Sequence, residues 1–364
     1  MSSPKISIVA NFYNSEKYIS KLIKSVLNQS YEDWELIAVN DCSPGNDLKL
    51  LKKWEKHPKM SGRMRIVNNE VNLGISFAKA EGIKVAEGKY ITFIDGDDWL
   101  EPLALERMIE PAEKFDLDLV VGNFFKRYKN VIKKSFKSNY IEYNKIYEKK
   151  EIKEVVLKGF FGINVYSNVG YWGKLFKVST LKKSKYKPQR IIASEDLFFN
   201  LEFLLVTSKM MFVDYPVYNW RWGGISSGSI TKKDVSFSSL GSLRNFNEFY
   251  FRKLNIIERE DFPQGLNPLR IELYNVLRSS LDSVCAPHPN SKEGEDAKKK
   301  VFESISLPAY REILELKGHP YIEDQIFFDS LENKDIDWLY SFFHEIYKKG
   351  WKKRLVRKIL SKFC

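Results

Sequence analysis

Over its first hundred residues the chain switches repeatedly between two hydrophobic periods, and few folds accommodate that alternation. Lys5-Ile6-Ser7-Ile8-Val9-Ala10 reads as a buried strand, and Asn11 to Asn14 breaks it. Tyr18, Ile19, Leu22, Ile23, Val26 and Leu27 then recur at helical spacing. Trp34-Glu35-Leu36-Ile37-Ala38-Val39 is a second strand, closed by the turn-rich Asn40-Asp41-Cys42-Ser43-Pro44-Gly45. Leu48, Leu51 and Trp54 mark a helix, Arg65-Ile66-Val67 a short strand, and Ile75 to Val85 a helix stopped near Gly88. Tyr90-Ile91-Thr92-Phe93-Ile94 is a strongly apolar strand that runs into Asp95-Gly96-Asp97-Asp98. This rhythm predicts an α/β fold with a mostly parallel sheet. Open sheets of that kind bind ligands beyond the carboxyl ends of their strands, so the polar residues after each strand are the ones that matter.

The rhythm does not persist. From about Lys126 to Lys158 the sequence is basic and aromatic without clean periodicity and reads as a loop-rich excursion. Past residue 230 strand signals fade, while Leu243 to Leu254, Leu269 to Leu281 and Ile336 to Ile346 look helical. The 364 residues carry 59 Lys+Arg against 47 Asp+Glu, a net charge of +12 that calls for an anionic partner: nucleic acid, a phosphorylated substrate or an anionic membrane. Three distant cysteines, Cys42, Cys285 and Cys364, make no disulfide framework and favour a reducing compartment. No signal-peptide pattern opens the sequence, and no apolar run approaches the ~20 residues of a spanning helix.

Three acidic groups are candidates for chemistry. Asp95, Asp97 and Asp98 repel one another at a strand end, and a hard divalent ion, Mg²⁺ or Mn²⁺, would balance them; a solvated turn capping the helix after Glu101-Pro102 would also explain them. Asp41 is placed either to accept hydrogen bonds from a base or ribose or to close an Asx-turn. Glu195 and Asp196 are either a general base and its neighbour or first-turn acids behind a Ser194 cap. Dinucleotide and P-loop fingerprints are absent, as are zinc-ligand spacings. Gly224-Ile225-Ser226-Ser227-Gly228 fits G-x-S-x-G but lacks the buried helix a hydrolase needs after it. At the C-terminus, Lys348 to Lys362 is basic, with Trp351, Leu355, Val356, Ile359, Leu360 and Phe363 on one side: a helix for an anionic membrane surface, for packing on its own domain, or for nucleic acid.

In order, these segments resemble the family-2 glycosyltransferases of the GT-A fold, of the bacterial surface-polysaccharide type. The likeness runs through Ile6-Ser7-Ile8-Val9 with Phe12-Tyr13-Asn14, Ser25-Val26-Leu27-Asn28-Gln29-Ser30-Tyr31, Val39-Asn40-Asp41-Cys42-Ser43, Asn72-Leu73-Gly74 and Gly88 to Asp98. It resumes at Trp172-Gly173-Lys174-Leu175-Phe176, at Ser194 to Asn200 and at Tyr218 to Ser229. The resemblance implies a Rossmann-like GT-A catalytic domain over 1–230, with a nucleotide-sugar half (1–102) and an acceptor half (103–230), then a helical region over 231–364. It implies inverting transfer of a sugar from a nucleotide-sugar, typically a UDP-sugar, to a hydroxyl of a glycan or lipid-linked acceptor, on the inner, cytoplasmic face of the membrane and without nucleic acid. By position, Ala10, Phe12 and Asp41 meet the base, Asp95 the ribose and metal, and Asp97 the Mn²⁺ or Mg²⁺ on the diphosphate. Asp196 stands at the catalytic base with Glu195 beside it. Lys79, and more weakly Lys174, Arg221 and the Ser226–Ser229 loop, stand near the diphosphate. Trp172, Tyr171 and Trp220 are candidates to stack on sugars or to pack the core. This chain departs from the family at Ala10-Asn11, where proline is common, and at Asn40-Asp41, where an acid pair is common. A metal-dependent nucleotidyltransferase and a non-catalytic nucleic-acid-binding protein remain alternative readings of the acids and of the charge.

Overall fold

The computed structural model describes residues 4–128, 131–134, 141–157, 160, 170–188, 195–221, 240–285, 290–317 and 325–345. The chain divides into two compact units, one of residues 1–160 with 165–230, the other of 161–164 with 231–364.

In the first unit the predicted alternation is present. β1 (Ile6–Phe12) leads to α1 (Glu16–Leu27), β2 (Trp34–Asn40), α2 (Asp47–Glu55), β3 (Met64–Asn68), α3 (Ile75–Lys84) and β4 (Tyr90–Asp95). These four strands are parallel, in the order β3-β2-β1-β4. β1 and β2 are covered on both faces, which is why they read as unbroken apolar runs. Ile6, Ile8, Ala10 and Phe12 point to one side, into a core with Ile19, Leu22, Ile23 and Val26 of α1. Val9 points to the other, against Gly82 of α3.

Beyond β4 the chain is richer in strands than its sequence suggests. β5 (Trp99–Leu100) and α4 (Ala104–Lys114) precede β6 (Leu119–Tyr128), β7 (Val131–Lys134), β8 (Ile146–Glu148) and β9 (Lys174–Lys177). α5 (Glu195–Val206) and β10 (Lys209–Arg221) complete the unit. β9 fits antiparallel between β4 and β6, and β10 runs parallel to β6. The sheet order is thus β3-β2-β1-β4-β9-β6-β10-β5, with β7 on β6 and β8 on β10. The main strands β3, β2, β1, β4, β6 and β10 share one direction, and β9 and β5 oppose them. The excursion expected as loops over 126–158 holds β7, β8 and the end of β6: pairing with long strands orders a segment that has little periodicity of its own. Phe93 anchors the second core, edge-on to Tyr171, Phe176 of β9 and Phe199 of α5.

The second unit is helical among its described residues: α6 (Leu240–Arg259), α7 (Leu266–Val284), α8 (Lys292–Ile305), α9 (Gln325–Glu332) and α10 (residues 336–345). Leu269, Leu273, Leu277, Val301, Ile313 and Phe327 are fully buried there, and Lys253 is sealed in an ion pair with Glu272 at 2.6 Å. No helix among the described residues is long and apolar enough to cross a membrane. The basic segment from Lys348 to Lys362 and the Gly224–Gly228 and Ser226–Ser229 stretches lie outside the described residues.

Candidate active site

Strand register brings the polar residues together. Asn11 pairs with Asp95, Phe12 with Asn40, and Asn40 with Asn68, so β1, β2, β3 and β4 end level. Gly96 then turns the chain against β1. A Cβ there would lie 2.5 Å from the Asn11 carbonyl oxygen and 2.6 Å from Ser15 Oγ, so only glycine lets the acidic turn sit this close.

The three acids of that turn have separate fates. Asp98 is withdrawn: Tyr218 donates its hydroxyl proton to Oδ2 at 2.8 Å, and the Arg221 amide donates to Oδ1 at 2.7 Å. Burial, then the charges of Asp97 and Asp95, push its carboxyl well above the usual range. Its work is to tie the end of β10 to the turn. Asp95 Oδ1 pairs with Lys79 Nζ at 2.8 Å, the lysine being 1% exposed. Asp97 is 2% exposed, and its carbonyl accepts from Arg221 Nε at 2.8 Å. Helix capping, the other reading of these acids, fails: the N-cap of α4 is Leu103, with no side-chain bond.

Among the described residues no group of three His, Cys, Asp or Glu side chains is arranged to hold a metal. Asp95 and Asp97 nonetheless offer hard carboxylate oxygens on one turn. That set suits Mg²⁺ or Mn²⁺, which commonly take one or two carboxylates and complete their shell with water and substrate phosphate.

Asp41 accepts from Asn69 Nδ2 (2.8 Å), from the Leu73 amide (2.9 Å) and, through its other oxygen, from the Gly74 amide (2.9 Å). It therefore holds the 69–74 loop and the start of α3, where Gly74 takes φ 85°. This is a long-range bond set, not the local Asx-turn. Ala10 and Phe12 are fully buried in the core below, so only their backbone faces the strand ends.

Glu195 and Asp196 open α5, half-buried. Asp196 Oδ1 accepts from the Leu197 amide at 2.8 Å, and its carbonyl accepts from Asn200 Nδ2 at 2.7 Å. Burial raises both carboxyls; the charge of Asp196 adds to Glu195, which is pushed up to about 7. The charge of Lys79, the partner of Asp95, acts on both in the opposite sense. Lys174 lies beneath, fully buried, with Nζ bonded to the Gly170 carbonyl, and burial pushes it down to about 7. It supports the floor of the site, away from solvent.

Sequence reasoning did not find the hydroxyl chain of Ser76, Tyr186 and Tyr171, linked at 2.6 and 2.8 Å. Ser76 and Tyr186 are 110 positions apart, and no local pattern joins them. Trp172 stacks on Tyr218 at 4.8 Å and lies near Trp220 at 6.1 Å, so these aromatics pack on one another.

A mixed sheet of this order, with helices packed on it and an acidic turn after β4, is a GT-A-type fold. Residues 7–170 match the family model described as glycosyl transferase family 2. The chain is 25% identical over 239 residues to glycosyltransferase GlyA of Streptococcus pneumoniae, covering 63% of this chain and 32% of that protein. It is 29% identical over 313 residues to the uncharacterized glycosyltransferase EpsJ of Bacillus subtilis, covering 85% and 86%. The crystal structure of Staphylococcus aureus TarS 1–349 in complex with UDP-GlcNAc superposes with a TM-score of 0.62 at 17% identity, over 95% of this chain and 92% of that one. Family model, relatives and fold thus agree in their likeness to the bacterial family-2 glycosyltransferases.

Proposed function

We propose that this protein transfers a sugar from a nucleotide-sugar, a UDP-sugar by preference, to a hydroxyl of a glycan or lipid-linked acceptor in polysaccharide synthesis, with inversion. The observation that carries the reading is the Lys79–Asp95 ion pair at the carboxyl edge of the sheet, with the Glu195–Asp196 pair within reach of the same ammonium's charge. The likeness to a protein solved with UDP-GlcNAc supports the donor class.

Asp41, with the loop it fixes, forms the base end of the donor site, and the backbone of Ala10 and Phe12 borders it. Asp95 and Asp97 would hold a divalent ion, Mn²⁺ or Mg²⁺, which when bound would supply Lewis-acid stabilisation of the departing nucleoside diphosphate. Lys79 orients Asp95 and adds positive charge for the diphosphate, and Arg221 is anchored on the Asp97 carbonyl beside it. Asp196 takes the proton of the attacking acceptor hydroxyl, with Glu195 sharing that proton's environment. A carboxyl raised toward neutrality is a better base than an ordinary one at the same pH. Direct displacement from the face opposite the leaving group needs no covalent intermediate. The basic C-terminal segment, Lys348 to Lys362, holds the enzyme peripherally on the anionic inner leaflet.

A donor screen read by mass spectrometry tests this, with and without Mn²⁺. Release of nucleoside diphosphate from one or a few nucleotide-sugars is the expected result. Release of pyrophosphate would select nucleotidyl transfer instead, and salt-sensitive retention of nucleic acid that survives excess nucleotide-sugar would select a binding protein.

A further inference from the structure

Three cations from three elements converge on one indole beside the acidic turn. Lys21 Nζ of α1 lies 3.1 Å from the Trp99 ring centroid, the Arg221 guanidinium 4.9 Å and that of Arg127 5.9 Å. Both arginines are pinned. Arg127 donates to Asn219 Oδ1 at 2.6 Å and to Glu101 Oε1 at 3.2 Å. Arg221 donates to the Asp97 carbonyl and covers the Tyr18 ring at 4.6 Å. Glu101 offsets one charge of the three. Asp98, next to Trp99 in the chain, is committed to Tyr218 and to the Arg221 amide. Lys21 has no carboxylate partner among the described residues, and burial together with the charges of Arg221 and Arg127 lowers its pKa. Lys17 and Lys24, a turn to either side on the exposed stripe of α1, add further positive charge. Cations that repel one another and are nonetheless held together form a place for an anion.

The donor's diphosphate does not need this place. On the reading above its charge would be met by Lys79 and by a divalent ion that Asp95 and Asp97 would hold. Lys79 belongs to α3, which packs on the Val9 side of β1, whereas Lys21 belongs to α1, which packs on the Ala10 side. We propose that Lys21, Arg127 and Arg221 around Trp99 form a subsite for a phosphate group carried by the acceptor, so that the acceptor is a phosphate-bearing chain and not a neutral glycan. This rests on the glycosyltransferase reading above. Trp99 serves as the platform: its face holds the lysine until a phosphate draws the ammonium off the ring. The phosphate is either a diester along the chain or the diphosphate of a lipid-linked sugar.

The test uses the full chain with Lys21→Glu and Lys21→Arg, both on the exposed face of α1. KM and kcat are measured for a neutral oligosaccharide, a soluble glycerol-phosphate oligomer and a short-chain prenyl-diphosphate-linked sugar, beside donor hydrolysis without acceptor. Lys21→Glu should raise KM at least tenfold for a phosphate-bearing acceptor, leave the neutral acceptor and donor hydrolysis unchanged, and be relieved in Lys21→Arg. An effect confined to the oligomer identifies the diester, and one confined to the lipid-linked sugar the diphosphate. An equal shift with the neutral acceptor, or none with either phosphate-bearing one, overturns the subsite. Calorimetric binding of the glycerol-phosphate oligomer and of the prenyl-diphosphate-linked sugar, wild type against Lys21→Glu, decides the matter without turnover. A failure of the glycosyltransferase reading would therefore show separately, as absent donor hydrolysis.

Discussion

Replacing Asp196 by asparagine separates catalysis from stability, because the two respond in opposite directions. The amide keeps nearly the same shape and can still accept from the Leu197 amide through Oδ1. It carries no charge and takes no proton. Glu195 stands at about 7 against a usual 4.5, through burial first and the Asp196 charge second. A folded-state pKa raised in this way means that the folded protein binds more protons than the unfolded chain between about pH 4.5 and 7. Stability contributed by this site is therefore greatest in acid, falls as pH rises through that window, and is flat above it. The whole shift corresponds to ~3 kcal/mol at 1.36 kcal/mol per unit, and only the Asp196 share of it, second to burial, is recoverable, ~1 kcal/mol. Asp196→Asn should thus be more stable than wild type by that amount in denaturant unfolding at pH 8, with little difference at pH 4.5. Transfer should fall by ~10²–10⁴, the range of a lost general base, with donor affinity retained. A variant that is less stable at pH 8 and transfers at the wild-type rate would refute both the electrostatic account and the assignment. If Glu195→Gln shows the larger loss of kcat with binding intact, the two carboxyls exchange roles.

Asp97→Asn should abolish transfer with little loss of stability, and a chelator should inactivate the wild type; full activity in excess chelator removes the metal from the site. Asp41→Ala strips three hydrogen bonds from one buried carboxylate, so it should cost ~3 kcal/mol in unfolding experiments as well as weaken donor binding; an unchanged donor Kd would confine Asp41 to holding the loop. Gly96→Ala forces a methyl against the Asn11 carbonyl, and should raise the Mn²⁺ concentration needed for half-maximal activity at least tenfold; wild-type activation would show that the turn yields freely. Removal of residues 348–364 should release the protein from anionic liposomes and leave donor hydrolysis intact, with high salt mimicking the release; undiminished liposome binding ends the membrane role.

How far the fold was legible depended on what each strand packs against. β1, β2 and β4 are enclosed on both faces, so their sequences are apolar at nearly every position and carry their own signal. β10 is not legible in this way. It contains Asp214 and Pro216, and the ladder with β6 shifts register on both sides of that proline. A proline that denies one ladder bond is absorbed by the irregularity, and the partner strand supplies the order that local propensity does not. α8 was missed for a related reason. Lys292 to Ile305 is mostly charged, and its buried positions among the described residues are Gly294, Ala297, Val301 and Ile305, about one per turn.

The acids of the candidate site stand out in the sequence, but their differing surroundings do not. Asp95, Asp97 and Asp98 are equivalent as a sequence run, since any of them at a strand end would bind a cation. What distinguishes them lies far along the chain. Tyr218 and Arg221, 120 and 123 residues on, take both oxygens of Asp98 and withdraw it from binding a cation. Lys79, sixteen residues back, takes one oxygen of Asp95 and leaves the rest of that carboxylate at the ledge. Lys174 reverses the usual expectation for its type: position suggested a diphosphate ligand, yet complete burial and a bond to the Gly170 carbonyl commit its ammonium to the protein interior. A lysine in that environment gains nothing from a phosphate it cannot reach. Its charge is felt instead at Asp196, one of the two carboxyls on which the proposed proton transfer depends.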